Sequence, residues 1–237
     1  MSYELVKRTP VFDLARRAGA SFTQVAGWSV PGAFPGEPGA AEIGALQVGL
    51  ADRSARAKVL VQGMAAAAVV ERAWDLAPLA VNHGARLPHG AAFRLRHDRV
   101  FLSGPPATEQ ALTAPVQAAV QAQDGLLTLT GVTHGRAELW LLGRAAADLL
   151  SRLCGLDLHA DHFPNLAAQQ TSVAKTAQLV IRADVGRQPL YVLIGARSLG
   201  AYLWQTLVAA AHDMDLRLCG EALLQALEAQ QEHDAAP

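Results

Sequence analysis

Hydrophobic and polar positions alternate along "AKVLVQG" (57–63), the pattern of a strand with one buried face. The same rhythm returns in "AAFRLRHDRVFLSG" over 91–95 and 99–102, and His97-Asp98 between the two runs predicts a hairpin turn. "LLTLTGVTHGRAELWLLG" (126–143) predicts two strands around Gly131 and Gly135. "QQTSVAKTAQLVIRAD" (169–184) and "LYVLIGA" (190–196) predict two more. Helical stretches lie between them. "VFDLARRAGA" (11–20) starts after Thr9, a candidate cap, and Pro10, which suits a first helical position. "MAAAAVVERAWDLA" (64–77) stops at Pro78. "TEQALTAPVQAAVQAQ" (108–123) carries Pro115 inside it, so a kink or a split is expected. "RAAADLLSRLCG" (144–155) ends at Gly155, "SLGAYLWQTLVAAAHDM" (198–214) has Ser198 as its cap, and "CGEALLQALEAQQ" (219–231) precedes a polar tail, 232–237. "GWSVPGAFPGEPGAAEIG" (27–44), dense in Gly and Pro, reads as a loop anchored by Trp28.

Strand, helix, strands, helix recurs without a regular βαβ rhythm. That predicts an α+β chain with antiparallel sheets, not a Rossmann fold, and no GxGxxG or P-loop spacing argues otherwise.

Composition narrows the function. The 237 residues are 51% hydrophobic and 17% charged, enough to bury a substantial core. So few charges hint that part of the surface is covered by a partner, although an Ala-rich chain has the same signature. The net charge is −1 and no run or stripe of Lys and Arg occurs, so nucleic acid is not an expected partner. The most apolar stretch, 137–153, is broken by Arg144 and Asp148, so no membrane span is expected. The first residues lack an apolar secretion core, which points to the cytoplasm. Cys154 and Cys219 have no partner spacing, so neither a disulfide nor a cysteine zinc site is predicted.

Three residue sets could carry chemistry. The first is histidine: His83, His89 and His97, and the "HADH" of His159 and His162 around Asp161. These are metal ligands if they converge and solvated loop residues if they do not. The second is Asp52, set among apolar neighbours in "GLADRS", as a buried acid or as the cap of a local turn. The third is a nucleophile, for which no GxSxG elbow or cysteine–histidine pair exists.

The order of short motifs is similar to that of the glycine cleavage T-protein, the folate-dependent aminomethyltransferase. "TPVFDLARRAGASFTQVAGWSVPGAF" resembles its opening and "VGLADRSARAKVLVQG" its next conserved block. "AELWLLGRAAADLLSRLCGLDL" and "VGRQPLYVLIGARSLGAYLWQTLVAAAHDMDLRLCGEALLQALE" follow in register, from about residue 9 to 228. The resemblance implies the aminomethyltransferase folate-binding-domain fold: two interlocked α+β units with antiparallel sheets flanked by helices, the family's C-terminal barrel being absent. Residues 1–47 with 125–237 would form one unit and 48–124 the inserted one.

The chain departs from that family where folate chemistry lies. The family's central aspartate has no counterpart, and Asp98, in the following turn, does not inherit the role. The family's asparagine gives way around Ser103 and Gly104, its histidine becomes Ala55, and its folate-contacting glutamate aligns with Tyr191. Losing several buried pairing groups costs about 1–3 kcal/mol each. Asp52, Tyr191, Arg182 and Arg197 remain around the expected pocket. The two arginines read either as carboxylate binders or as salt-bridge residues. No catalytic residue and no metal ligand is expected.

"GLDL", Gln170-Thr171, "ARS" and "LW" fall in register with the gamma subunit of heterotetrameric sarcosine oxidase over 137–212. That resemblance implies a non-catalytic subunit of one-carbon or methylated-amine metabolism. It would pack against a larger folate- and flavin-bearing oxidase or demethylase subunit or form a homo-oligomer, and need no cofactor. The alternative is a tetrahydrofolate-binding aminomethyltransferase-like enzyme with a rewired site. A third branch, iron–sulfur maturation, uses a reactive cysteine motif, and Cys154 in "RLCGLDL" lacks its neighbours.

Overall fold

A computed structural model of the chain describes residues 6–120, 126–186 and 188–234. Residues 121–123 of the expected helix, the expected unit boundary at 124/125 and the end of the polar tail lie outside them. In chain order the elements are β1 (Lys7–Arg8), α1 (Phe12–Arg17), β2 (Ser21–Val25), β3 (Trp28–Ala33), β4 (Val48–Asp52), β5 (Ala57–Gln62) and α2 (Ala66–Ala73). Next come β6 (His83–Leu87), β7 (Gly90–Arg96), β8 (Arg99–Gly104), α3 (Glu109–Val120), β9 (Thr128–Gly131), β10 (Arg136–Leu142) and α4 (Ala146–Ser151). The last are β11 (Ala168–Val173), β12 (Thr176–Arg182), β13 (Leu190–Ala196), α5 (Gly200–Ala210), β14 (Leu216–Cys219) and α6 (Glu221–Asp234).

The fold is α+β, as the pattern predicts, and no closed barrel forms among the described residues. Its contacts divide it into one unit of residues 1–55, 136–165 and 171–237 and a second of 56–135 and 166–170. β4 belongs to the first unit because it pairs with β10 on one side and β14 on the other.

The second unit carries a five-stranded antiparallel sheet in the order β6-β7-β8-β5-β9. Val59, Val61, Val100 and Leu102 turn to one of its faces. They pack with Val69 and Val70 of α2 and Leu112 and Val116 of α3, all almost fully buried. Each such side chain contributes about 1.5–3 kcal/mol of burial. α3 is one uninterrupted helix with Pro115 inside it.

The first unit holds a six-stranded sheet, β11-β12-β13-β10-β4-β14, and a three-stranded one, β1-β3-β2. Here the structure corrects four local expectations. The Gly/Pro-rich stretch is not simply a loop: β3 runs through it, and Trp28 is buried as the anchor. The stretch 169–184 is two strands, turned at Ala174 and Lys175, whose φ values of 50° and 61° make a two-residue hairpin. Neither Thr9 nor Ser198 caps its helix; α1 follows Val11 and α5 follows Leu199, and no side chain bonds either helix start. α2 and α4 end before Pro78 and Gly155, the first at a turn where Asp75 takes φ 49°.

Candidate functional site

Strand pairing decides which side chains share a face. Asp52, Leu139, Leu193 and Val180 form one row across β4, β10, β13 and β12. Leu50, Leu141, Tyr191 and Arg182 form the row two residues along. Asp52, Tyr191 and Arg182 therefore lie on one face of the large sheet. Arg197 is not with them: it sits in a 3-10 turn past the end of β13.

Each residue of this face is held by the protein itself. The Asp52 carboxylate accepts hydrogen bonds from the Ser54 amide (3.0 Å) and hydroxyl (2.6 Å), which is the turn-cap role and not the acid–base one. Arg182 grips Asp184 through two nitrogens at 2.9–3.0 Å and donates to the Phe163 carbonyl at 3.0 Å. The hydrogen bonds it donates to Asp184 hold the guanidinium charged, against the partial burial that opposes it. Of the two readings for this arginine, the geometry gives the internal ion pair.

Tyr191 is 2% exposed and directs its hydroxyl to the Leu158 carbonyl over a long 3.4 Å. Burial pushes the phenol above its ordinary pKa, and nearby Arg182 opposes that. Residues 158–165 thus bond across the Tyr191 and Arg182 positions, and Asn165 also accepts from the Asp184 amide. Arg197 donates to the Arg8 carbonyl and stands 5.7 Å from the centroid of the Trp28 ring.

The opposite face of the same sheet holds a cluster that sequence reasoning missed. Arg53, 3% exposed, donates to Glu221 at 2.6 Å and to both oxygens of Glu228 at 2.9 and 3.0 Å. Its guanidinium lies 4.8 Å from the Trp140 centroid, and the Trp140 indole donates to Glu138, 1% exposed, at 2.8 Å. Glu221 and Glu228 are seven residues apart on α6, two turns along one face, which brings both to one arginine. Burial opposes the Arg53 charge, but Glu228 and Glu221 together carry its pKa above the ordinary value. Beside the cluster, Trp140, Leu142, Leu190, Leu224 and Leu227 line a narrow apolar cleft with about 10 Å³ of internal space, room for one water.

The histidines do not converge. His162 pairs with Asp157 at 2.5 Å, His159 lies 3.4 Å from Asp161, and both rings are 68% exposed. His83 bonds the Val81 carbonyl. Among the described residues no group of three or more His, Cys, Asp or Glu could hold a metal ion. Cys219 is buried, and burial, reinforced by Glu37, pushes its thiol up to about 12. Cys154 is half-buried and also free. Among the described residues no helix is long and apolar enough to cross a membrane.

Two open α+β units built on mixed and antiparallel sheets, without a metal cluster or a nucleophile elbow among the described residues, define the class of the protein. Residues 11–234 match the GCVT N-terminal domain, and the chain belongs to that family. It is 26% identical to an aminomethyltransferase of Geobacillus kaustophilus over 91% of its own length and 62% of the relative's. It is 28% identical to an aminomethyltransferase of Mycobacterium tuberculosis over 69% of its length and 47% of that protein's. The chain thus spans about half to three-fifths of these relatives. Among solved structures it is similar to glycine cleavage system aminomethyltransferase T from Bartonella henselae. The TM-score is 0.75 at 19% identity, over 98% of this chain and 64% of that one. It is also similar to a chain of heterotetrameric sarcosine oxidase from Corynebacterium sp. U-96, with a TM-score of 0.65 at 20% identity, over 88% of this chain and 96% of that one. At such identities the likeness is one of fold.

Proposed function

We propose that the chain is a non-catalytic subunit of methylated-amine or one-carbon metabolism, the partner of a larger flavin- or folate-bearing oxidase or demethylase. The observation that carries the reading is the state of the polar groups on the sheet face that holds three of the four expected pocket residues. Asp52 caps its own turn, Arg182 is held by Asp184, and Tyr191 is buried beneath the Leu158 carbonyl. A pteridine is read by groups that pair with its N–H and carbonyl edges, and this face turns its own inward. Tetrahydrofolate therefore fits this face poorly. The likeness to a chain of a heterotetrameric oxidase supports the subunit role.

Calorimetry with tetrahydrofolate tests the site. The expected result is no saturable heat up to about 1 mM ligand, the range of binding weaker than about −4 kcal/mol. A dissociation constant in the micromolar range would return the chain to the alternative, an aminomethyltransferase-like enzyme with a rewired site. Purification from the native source tests the partner: a flavin-bearing subunit should elute with the chain at a fixed ratio. A lone chain, monomeric or self-associated, would remove the proposal.

A further inference from the structure

The first unit gathers positive charge at one corner without neutralising it. β1 is an edge strand, two residues long, and both of them, Lys7 and Arg8, are exposed. The Lys7 ammonium stands 5.8 Å from the Trp28 ring centroid, and the Arg197 guanidinium 5.7 Å from the same ring. Arg8 lies 4.6 Å over Phe12, while Arg197 donates to the Arg8 carbonyl and so fixes β1 at that edge. Exposed Arg136 pairs with Ala196, the neighbour of Arg197. Among the described residues no carboxylate forms an ion pair with Lys7, Arg8, Arg136 or Arg197. Asp13, on the neighbouring helix, is paired with Arg16. A chain with 20 cationic and 21 acidic side chains has carboxylates enough to pair them. Four cations on adjoining elements, none of them ion-paired with a carboxylate among the described residues, favour an outside anion.

We infer that this corner, Lys7, Arg8 and Arg136 with Arg197 positioning the strand, docks an acidic segment of a protein partner. Charge complementarity selects the partner, and exposed Val6 and Leu199, 47% and 38% accessible, supply apolar contacts beside the cations. Nucleic acid fits less well, because the chain as a whole is net negative and the cations form a cluster instead of a track. The inference rests on the partner role proposed above, and its test lets the two fail separately.

The probe is a fluorescein-labelled hexaglutamate peptide, followed by anisotropy at about 20 mM salt, where screening reaches only about 20 Å. Saturable binding by the full chain is expected. It should weaken at least about tenfold in K7E/R8E/R136E, and by a similar factor for the unaltered chain in about 200 mM salt. The variant R96E/R144E/R217E reaches the same net charge, −1 − 6 = −7, with reversals elsewhere, and should bind within about threefold of the parent. Absence of saturable binding by the unaltered chain overturns the inference, as does equal weakening in both variants. Stronger binding of an oligothymidylate of equal charge overturns it in favour of nucleic acid. If K7E/R8E/R136E misfolds, the salt response and K7A/R8A carry the test. A flavin-bearing subunit that co-purifies while the peptide fails leaves the partner role standing. Peptide binding without such a subunit leaves the corner standing.

Discussion

At the scale of single residues, Arg53 is almost fully buried and pairs with two carboxylates. Removing it takes their shared cation from Glu221, 7% exposed at its side chain, and Glu228, 33% exposed. Arg53→Ala is expected to cost about 3–5 kcal/mol, read as a lower urea midpoint. Arg53→Met combined with Glu221→Met and Glu228→Leu should recover most of that loss, because it removes the stranded charges as well as their partner. Cys219 gives a second prediction. Its folded pKa, about 12, lies above the unfolded 9.0, so the native state holds the proton more tightly. Stability contributed by the neutral thiol is intact below about pH 9 and falls between 9 and 12, at up to about 1.4 kcal/mol per pH unit. Urea midpoints at pH 9 and 10.5 should therefore diverge more for the parent than for Cys219→Ala, and parallel lines would contradict the burial argument. The same scale shows what the sequence could and could not disclose. The turn-capping role of Asp52 was readable, because its partner is two residues away. Arg53 was not, because Glu221 lies 168 residues along the chain and no local pattern announces the pairing.

At the scale of elements, alternation identified β5, β7 and β8, though not β2, β6 or β14, and Ala-rich composition identified α2. It failed at β3, where Trp28, Ser29, Val30 and Pro31 are all buried and tertiary burial outweighs the Gly/Pro signal. Pro31 is tolerated there because β1 pairs only with Trp28 and Ser29, and because the β2 register shifts between Ser21 and Phe22, beside it. The β2–β3 hairpin turns through Ala26 and Gly27, both at positive φ, 51° and 77°. Glycine accepts that conformation freely, but alanine does not, and asparagine followed by glycine is the favoured pair for such a turn. Ala26 is exposed, so Ala26→Asn removes strain without disturbing packing. It should add about 0.5–1 kcal/mol and raise the melting temperature by about 1–3 °C in a scanning calorimeter. A lower melting temperature would mean that the turn is held by something other than its own backbone preference.

At the scale of the whole molecule, the chain passes between its two units four times: at 55/56, 135/136, 165/166 and 170/171. The last two passages enclose only residues 166–170, which return to complete the second unit. They do so by backbone pairing at the free edge of β6. The Gly84 amide donates to the Leu166 carbonyl at 2.9 Å, the Ala168 amide donates to the Asn82 carbonyl at 2.8 Å, and His83 bridges Ala167 between them. Such a short segment cannot be predicted from composition, because its five residues carry no periodicity and gain their place from an edge supplied elsewhere. The backbone is strained on both sides of the seam, with Asn82 and Leu166 each at φ 66°, so the pairing is held by its context and not by local preference. Because the two bonds belong to one zipper, opening it frees both amides at once. In native-state hydrogen exchange, Gly84 and Ala168 should therefore exchange with the same opening free energy, within about 0.5 kcal/mol, and should respond together to low urea. An Ala168 amide that exchanged freely while Gly84 stayed protected would show that residues 166–170 only lie near the edge, leaving the second unit to stand on residues 56–135 alone.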